Sequence, residues 1–199
     1  MNDIFSVLSL TGAGEIILTV TGKNDSGNSL ILAKKSGASI ENMMTDVIKP
    51  VKKEIMERSG INIREVIVAL SSAYISISQH RGYIVRDIID EEINQSDLTT
   101  LMNFMLKITP PTGMGIVTIA PHLYTVDDES RILSPVGMCG KRLECTYNVM
   151  FAVTRLVDII TGGLFPEGIS VKKFIPDKIN AAKPFLTAEE IESLSGTED

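Results

Sequence analysis

The stretch FSVLSLTGAGEIILTV, residues 5–20, sets the fold class, because two apolar runs flank the glycine-rich turn Thr11-Gly-Ala-Gly14. Short runs rich in Ile, Leu and Val predict strands, and a turn of this composition joins such strands as a hairpin. The turn residues of Gly22–Asn28 and the apolar run Ser29–Ala33 predict a second loop and a third strand. The sequence therefore predicts three antiparallel strands at the start of a sheet.

A change of period follows the third strand. Apolar residues recur at helical spacing over residues 40–55, with Ser39 as a candidate N-cap and Gly60 as the stop. Pro50 lies inside this pattern, and because proline lacks an N–H and crowds the preceding turn, we expect a kink or a break there. The next run, Val66–Leu70, is continuous and β-branched, as expected of a buried central strand. The order β-β-β-α-β is similar to one half of an actin-like, or ribonuclease-H-like, domain.

A second group of predicted elements interrupts this layer. Strands are predicted at Tyr74–Gln79 and Gly82–Val85, and Ser96 is predicted to cap a helix. The apolar face of that helix carries Leu98, Leu101, Met102 and Met105. The later predicted elements are a strand Met114–Val126 broken at Pro121, a strand Leu143–Phe151, a helix Ala152–Ile160, a strand Ile169–Ile175 and a helix opened by the capping-box spacing Thr187–Glu190.

These elements predict an α/β chain with two parts. The first part, residues 1–72 plus 163–199, is half of an actin-like (ribonuclease-H-like) domain. The second part, residues 73–162, is an inserted strand-helix-strand-strand subdomain.

The composition excludes several classes of function. The 199 residues are 44% hydrophobic and 22% charged with a net charge of −6, whereas nucleic-acid binding needs clustered Lys and Arg. No apolar run is long enough to cross a bilayer and the N-terminus lacks a signal-peptide pattern, so we expect a cytoplasmic chain. Cys139 and Cys145 have no histidine nearby, and we expect two buried or half-buried thiols in a reducing compartment.

One motif is specific enough to suggest a family. The residues Ser134-Pro-Val-Gly-Met-Cys-Gly140, followed by Arg142-Leu-Glu144, match N-P-[LV]-G-M-S-G-x-R-L-E, except that serine replaces asparagine and cysteine replaces serine. This run resembles the signature of FtsA, a family of actin-like bacterial cell-division proteins. Weaker likenesses at Pro121–Asp127 and Leu186–Glu190 follow the family's order, and the resemblance covers nearly the whole chain.

The resemblance implies that the inserted subdomain binds proteins. In the family this subdomain touches a neighbouring FtsA protomer and later division proteins. The expected contact residues are Tyr83, Ile84, Pro135, Gly137, Met138, Gly140, Arg142 and Glu144. Arg142 and Glu144 point to the same face of their predicted strand, where a salt bridge can form. The alternative for the Pro135–Arg142 loop is a purely structural role that shapes the subdomain.

The expected phosphate-binding hairpin is degenerate. The actin-like superfamily begins with Asp-x-Gly-[Ser/Thr], but here Leu10 takes the place of the acid and Ala13 that of the hydroxyl, on either side of Gly12. A leucine cannot carry negative charge to a magnesium shell. His80 and His122 have no Cys, Asp or Glu at metal-ligand spacing. We therefore predict no cofactor, no metal site, no catalytic residue and no enzyme activity for this chain, and the family's second lobe would begin past the end of the sequence.

Three functions remain open. The leading hypothesis is an FtsA-like cell-division scaffold that binds another FtsA-like protomer or a division protein, in the cytoplasm or held at the inner face of the membrane by its partners. The alternatives are an ATP-binding actin-like filament protein, represented by its first lobe, and an actin-like platform for pilus or secretion assembly. The Gly-Met-Cys-Gly run favours the scaffold over the pilus platform, and nucleotide binding distinguishes the scaffold from the filament protein.

Overall fold

The computed structural model describes residues 4–23, 29–87 and 91–195, and the chain divides into two compact units. The first unit comprises residues 1–75 and 152–199, and the second comprises residues 76–151. The strands are β1 (Ile4–Leu10), β2 (Ile16–Lys23), β3 (Ser29–Gly37), β4 (Glu65–Leu70), β5 (Ile75–Val85), β6 (Met114–Val126), β7 (Glu129–Ile132), β8 (Arg142–Val153) and β9 (Ser170–Pro176). The helices are α1 (Lys49–Ser59), α2 (Gln95–Met105), α3 (Thr154–Leu164), α4 (Ile179–Ala182) and α5 (Ala188–Ser195). Within the described ranges, no helix is both long enough and apolar enough to span a membrane.

The first unit is built on a five-stranded sheet in the order β3-β2-β1-β4-β9. β1 runs antiparallel to β2 and parallel to β4, and β4 runs parallel to β9. The predicted β-β-β-α-β order is therefore confirmed. The loop predicted between β2 and β3 falls largely on residues 24–28, which lie outside the described residues.

The first sheet buries side chains on both faces, since all residues of β4 from Val66 to Leu70 are buried. Leu8, Leu10 and Val68 of the sheet line a small apolar void together with Ile160 of α3, and all four side chains are buried. Burying an aliphatic side chain of this size contributes roughly 1.5–3 kcal/mol. The alternation of side chains along β1 and β2 places Leu8, Leu10 and Ile16 on the face that carries this void.

The predicted kink or break near Pro50 is a change of helix type, from a π-helical turn to an α-helix. A π-helical turn covers Met44–Ile48, and in it the Lys49 N–H donates to the Met44 carbonyl, five residues back. Pro50 then lies in the first turn of α1, where a helix does not use the backbone N–H that proline lacks. Gly60 ends α1 as predicted, with φ of 68°.

The second unit packs α2 on a four-stranded sheet in the order β5-β8-β6-β7. The predicted apolar face of α2 is confirmed, since Leu101 and Met105 are buried and Leu98 and Met102 pack beside them in the same cluster. The N-cap is Asn94 and not Ser96. Its side chain accepts the N–H groups of residues 96 and 97, and the Asp97 carboxylate accepts the Asn94 N–H, which completes a capping box.

The limits of the insertion differ from the sequence prediction. Residues 73–162 were expected in the inserted subdomain, whereas the second unit ends at residue 151 and α3 belongs to the first unit. The buried side of α3 carries Leu156, Ile160 and Leu164. This amphipathic pattern predicts a helix but does not say which sheet the helix covers, so the sequence placed it in the wrong unit.

Two predicted strand breaks are wrong. β5 runs without interruption through Gln79-His80-Arg81, because polar residues are compatible with a strand that has one exposed face. β6 continues through Pro121. β7 pairs with β6 at Tyr124 and Val126, so Pro121 lies before the paired stretch, as in the edge positions where sheets tolerate proline. β7 itself adds a fourth strand to the predicted strand-helix-strand-strand order.

A buried carboxylate anchors α5 to β9. The predicted capping box is present, because the Thr187 N–H donates to Glu190 Oε2 at 2.9 Å and the Glu190 N–H donates to Thr187 Oγ1 at 3.3 Å. Lys172 and Lys173 of β9 lie 2.9 and 2.7 Å from the same carboxylate. Burial raises the pKa of Glu190, but hydrogen bonds from Lys173, Lys172 and Thr187 outweigh that effect and lower the pKa to about 2.

Glu190→Gln should destabilise the chain most near neutral pH and progressively less in acid. The pKa of Glu190 is lowered from 4.5 to about 2 on folding, so its stabilisation is complete above about pH 4.5 and is lost as the pH falls towards 2. A shift of this size corresponds to at most about 3.4 kcal/mol. Urea unfolding at a series of pH values measures the effect.

The exposed Glu192 on the same helix offers a matched control. Glu192→Gln should change the free energy of unfolding by less than about 0.5 kcal/mol at any pH. A Glu190→Gln chain that loses as much stability in acid as the parent would contradict the assignment.

Candidate interaction site

The candidate site is built on the antiparallel pairing of β5 with β8. The Arg86 N–H donates to the Lys141 carbonyl at 2.7 Å, and the Val153 N–H donates to the Tyr74 carbonyl at 3.1 Å. The two contacts are twelve residues apart on both chain segments, from 74 to 86 on one and from 141 to 153 on the other. The register is therefore the same at both ends, and successive side chains alternate between the two faces of the pair.

One face of this pair, called the outer face here, carries Arg81, Tyr83, Arg142 and Glu144. Glu144 is 8% exposed, and its carboxylate lies 2.5 Å from Arg81 and 2.9 Å from Arg142. The Arg142 guanidinium also lies 4.0 Å from the ring centroid of Tyr83, a cation–π distance. The predicted salt bridge between Arg142 and Glu144 is confirmed, and Tyr83 belongs to the same cluster.

The loop Pro135–Gly140, called the signature loop here, is fixed by main-chain hydrogen bonds. The Met138 N–H donates to the Pro135 carbonyl at 3.1 Å, and Gly137 between them adopts φ of 90°. The Gly137 N–H donates to the Ile93 carbonyl at 2.9 Å, and the Ile93 N–H donates to the Met138 carbonyl at 2.7 Å. A positive φ favours glycine, so the irregular path predicted for this loop follows from its sequence.

Sequence reasoning missed Arg86, the residue that holds the signature loop in place. Arg86 is 7% exposed, and its guanidinium donates to the carbonyls of Glu91, Glu92 and Gly140 at 2.9, 3.0 and 2.9 Å. Asp97, in the first turn of α2, lies 3.1 Å from Arg86 Nε and supplies the opposite charge. A buried guanidinium requires such partners. No motif points to Arg86, because its hydrogen-bond acceptors are main-chain atoms distant in sequence.

A glycine and an aspartate fit the signature loop to the end of β6. A Cβ atom at Gly140 would overlap Cγ1 of Val126. Asp127 adopts φ of 49°, and its carboxylate accepts the N–H groups of Arg142 at 2.8 Å and Lys141 at 3.1 Å. These two main-chain donors lower the pKa of the exposed Asp127 carboxyl. The Val126 side chain and the Asp127 carboxylate thus fix the path of the main chain from Gly140 to Arg142.

The eight predicted contact residues fall in three places. Tyr83, Arg142 and Glu144 lie together on the outer face, and the four residues Pro135, Gly137, Met138 and Gly140 lie in the signature loop. Ile84 instead packs against the core cluster beneath α2. Adjacent residues of a strand point to opposite faces, so Tyr83 and Ile84 do not belong to one surface. Arg81, which was not predicted, belongs to the outer face.

The two cysteines have different environments. Cys145 is buried, and its burial raises the thiol pKa to about 11. Cys139 is exposed, so the expectation of two buried or half-buried thiols is wrong for this residue. Its main chain pairs with Glu92 in an isolated bridge, which leaves the side chain on the surface of the signature loop.

The degenerate phosphate hairpin is a tight turn between β1 and β2. The Thr11 N–H donates to the Glu15 carbonyl at 2.9 Å, and the Thr11 hydroxyl accepts the Glu15 N–H at 3.1 Å. Leu10 is 4% exposed and faces the apolar core. Ala13 is exposed at the tip of the turn, after Gly12. Among the described residues, no three His, Cys, Asp or Glu side chains are grouped closely enough to hold a metal ion.

Comparison with known proteins identifies the second unit. The family described as "SHS2 domain inserted in FTSA" matches residues 62–151, a range that contains both the outer face and the signature loop. The second unit thus matches an SHS2 domain of the FtsA type and is called the SHS2 domain here.

Curated FtsA proteins resemble the chain beyond the SHS2 domain. FtsA of Escherichia coli K12 is 23% identical over 154 residues, which cover 76% of this chain and 36% of that protein. FtsA of Enterococcus hirae is 30% identical over 125 residues, which cover 60% of this chain and 28% of that protein. Most of the chain is therefore similar to FtsA proteins, as its motifs predicted. It spans only about a third of the length of these relatives.

Two solved structures are also similar. One is a PilM–PilN type IV pilus biogenesis complex, with a TM-score of 0.48 and 14% identity over 87% of this chain and 47% of that chain. The other is the cytoplasmic domain of EpsL, an inner membrane component of the Vibrio cholerae type II secretion system, with a TM-score of 0.43 and 13% identity over 89% of this chain and 57% of that chain.

Gly140→Ala should destabilise the SHS2 domain by about 1–3 kcal/mol, because the added methyl group overlaps Val126 and overpacking strains the site. Gly162→Ala is the control, since nothing lies within 4 Å of a Cβ at that helical position. It should be neutral or stabilising by up to about 1 kcal/mol. Denaturant unfolding compares the two, and equal stabilities would show that Gly140 has room for a side chain.

Proposed function

We propose that this FtsA-like chain is a cell-division scaffold that acts by protein–protein contact through its SHS2 domain. The similarity to curated FtsA proteins supports a role in cell division. The chain spans about a third of those proteins, so the proposal concerns a contact surface and not the activity of a whole FtsA.

The preorganised outer face is the observation that carries the proposal. Tyr and Arg are enriched among the residues that dominate interface energies. The side chains of Arg81 and Arg142 are 69% and 49% exposed, and Tyr83 is 47% exposed. Ordering a flexible side chain at an interface costs about 0.5–1.5 kcal/mol. Because buried Glu144 already holds both guanidinium groups, part of this cost is avoided when a partner binds.

The charges of the outer face indicate what it binds. Two guanidinium groups surround one carboxylate, so the remaining N–H donors suit a partner that presents carboxylate or carbonyl oxygens. The net charge of −6 supports a protein partner over a nucleic acid. The proposed partner is another FtsA-like protomer or a division protein, met in the cytoplasm, with any membrane association made through such partners.

Arg142→Ala should weaken this contact at least about tenfold, which corresponds to 1.4 kcal/mol. The change removes a donor, leaves one oxygen of Glu144 without its partner, and uncovers the ring of Tyr83. Biolayer interferometry of the purified chain against the FtsA and other division proteins of its own cell measures the affinity.

Lys107→Ala is the matched control for this measurement. Lys107 is an exposed cation 5.8 Å from the ring centroid of Phe104, beyond the end of α2. Its removal deletes a comparable cation–π pair without altering the outer face, and the affinity should not change. Binding that is equally sensitive to both changes, or no binding to any division protein, would count against the proposal.

We further propose that this chain acts without catalysis of its own. Support comes from Leu10, which occupies the place of the catalytic acid and lies buried in the apolar core. The cavity on the opposite face of the first sheet, lined by Ser9, Thr21 and Asp177 among others, holds about 150 Å³. Pockets that bind drug-sized small molecules usually measure about 300–1,000 Å³.

The chain should show no saturable heat with Mg-ATP in isothermal titration at tens of micromolar protein. Loss of one charge-assisted contact to magnesium removes about 1.5–3 kcal/mol, and each 1.4 kcal/mol weakens binding about tenfold. An FtsA that binds ATP is the positive control. Saturable binding would favour the ATP-binding filament protein over the scaffold.

A further inference from the structure

Natural sheets carry features that prevent edge strands from pairing with other chains, and three of the four described sheet edges have them. β3 carries Lys34 and Lys35, and β9 carries Lys172, Lys173 and Pro176. β7 is only four residues long. β5 is the remaining edge, and it has eleven residues with neither lysine nor proline. Its arginine, Arg81, is already paired with Glu144 of the neighbouring strand. This edge is therefore open to strand addition.

Half of the main-chain polar groups of β5 point away from its own sheet. The hydrogen bonds at Tyr74 and Arg86 show that the even-numbered residues face β8. In a regular antiparallel pair the alternate residues direct their N–H and C=O groups to the other side, where no described strand of the sheet lies. Among these odd-numbered residues, Ile77, Tyr83 and Val85 are 41%, 47% and 57% exposed.

We propose that β5 pairs edge to edge, in antiparallel orientation, with β5 of a second copy of this chain. The two four-stranded sheets then become one sheet of eight strands. This pairing rests on the proposed function, because it names a second copy of the chain as the protein that the SHS2 domain contacts. The contacting groups are the main-chain N–H and C=O groups of β5. A second copy suits the edge because an antiparallel strand pair is self-complementary about a two-fold axis.

One register satisfies the side chains as well as the main chain. With the axis at His80, the opposed pairs are Ile75 with Val85, Ile77 with Tyr83, and Gln79 with Arg81. Apolar residues then meet apolar or aromatic residues, which are the cross-strand pairs that stabilise sheets. An axis at Arg81 would oppose two like charges, and an axis at Gln79 would place Arg81 against Ile77. We therefore expect the axis at His80.

A single cysteine at the axis tests the register. In this pairing the two copies of residue 80 form a non-hydrogen-bonded pair with Cα atoms about 4.5 Å apart, within the range of a disulfide. In a Cys139→Ser background, which leaves only the buried Cys145, His80→Cys should form an intermolecular disulfide under mild oxidation. Ser78→Cys is the control, because its two copies lie four residues apart, about 13 Å along the strands.

Sedimentation gives a second measurement that needs no cysteine. The parent chain should dimerise weakly, with a dissociation constant of roughly 1–100 µM for a small interface. Ile77→Lys should raise this constant at least about tenfold, because lysine on an edge strand opposes pairing. Ile159→Lys on α3 is the matched control, since Ile159 is 39% exposed against 41% for Ile77, and it should have no effect.

Several results would overturn the proposal. These are a strictly monomeric parent, equal crosslinking at residues 78 and 80, and a dimer that survives Ile77→Lys. Circular dichroism shows whether His80→Cys folds, and if it does not, sedimentation alone decides. The proposed function is judged separately, because the effect of Arg142→Ala is measured with other division proteins. A monomer that still binds them through the outer face would refute only the β5 pairing.

Discussion

The antiparallel pairing of β5 with β8 is the constraint on which the SHS2 domain depends. A strand register has a period of two, so a slip of one residue would send every side chain to the opposite face. With the observed register, Tyr83, Arg142 and Glu144 share the outer face while Ile84 packs beneath α2. The same pairing decides which main-chain groups of β5 remain at the edge. One set of hydrogen bonds thus defines the core and both candidate contact surfaces.

Buried charges give the chain its local precision. Arg86, Glu144 and Glu190 are each less than 9% exposed, and an ion without partners at that depth would be strongly destabilising. Each one is therefore surrounded by several groups, at least one of them distant in sequence. These groups are the carbonyls of two loops around Arg86, two arginines around Glu144, and two lysines and a helix cap around Glu190. These clusters fix the local conformation, because few arrangements of the surrounding chain give a buried charge all the partners that it needs.

Local features were predictable from the sequence and distant ones were not. The first three strands, the glycine that ends α1, the capping box at Glu190 and the shared face of Arg142 and Glu144 all follow from residues close together in the chain. The role of Arg86 depends on carbonyls as far away as Gly140, and main-chain acceptors leave no pattern in a sequence. The assignment of α3 to the first unit likewise depends on which sheet its apolar side covers. The exposure of Cys139 depends on a bridge to residue 92.

The hydrogen bond between Tyr74 and Val153 has a consequence for how such a chain can change. The polypeptide leaves the first unit and rejoins it at neighbouring residues, so whatever lies between them closes a loop whose ends already meet. Doubling the length of such a loop costs only about 0.6 kcal/mol in closure entropy, and insertions at positions of this kind are well tolerated. This junction is therefore a natural graft point. A different folded module with adjacent termini could replace residues 76–151 while the strands and helices on either side keep their sequence and their packing.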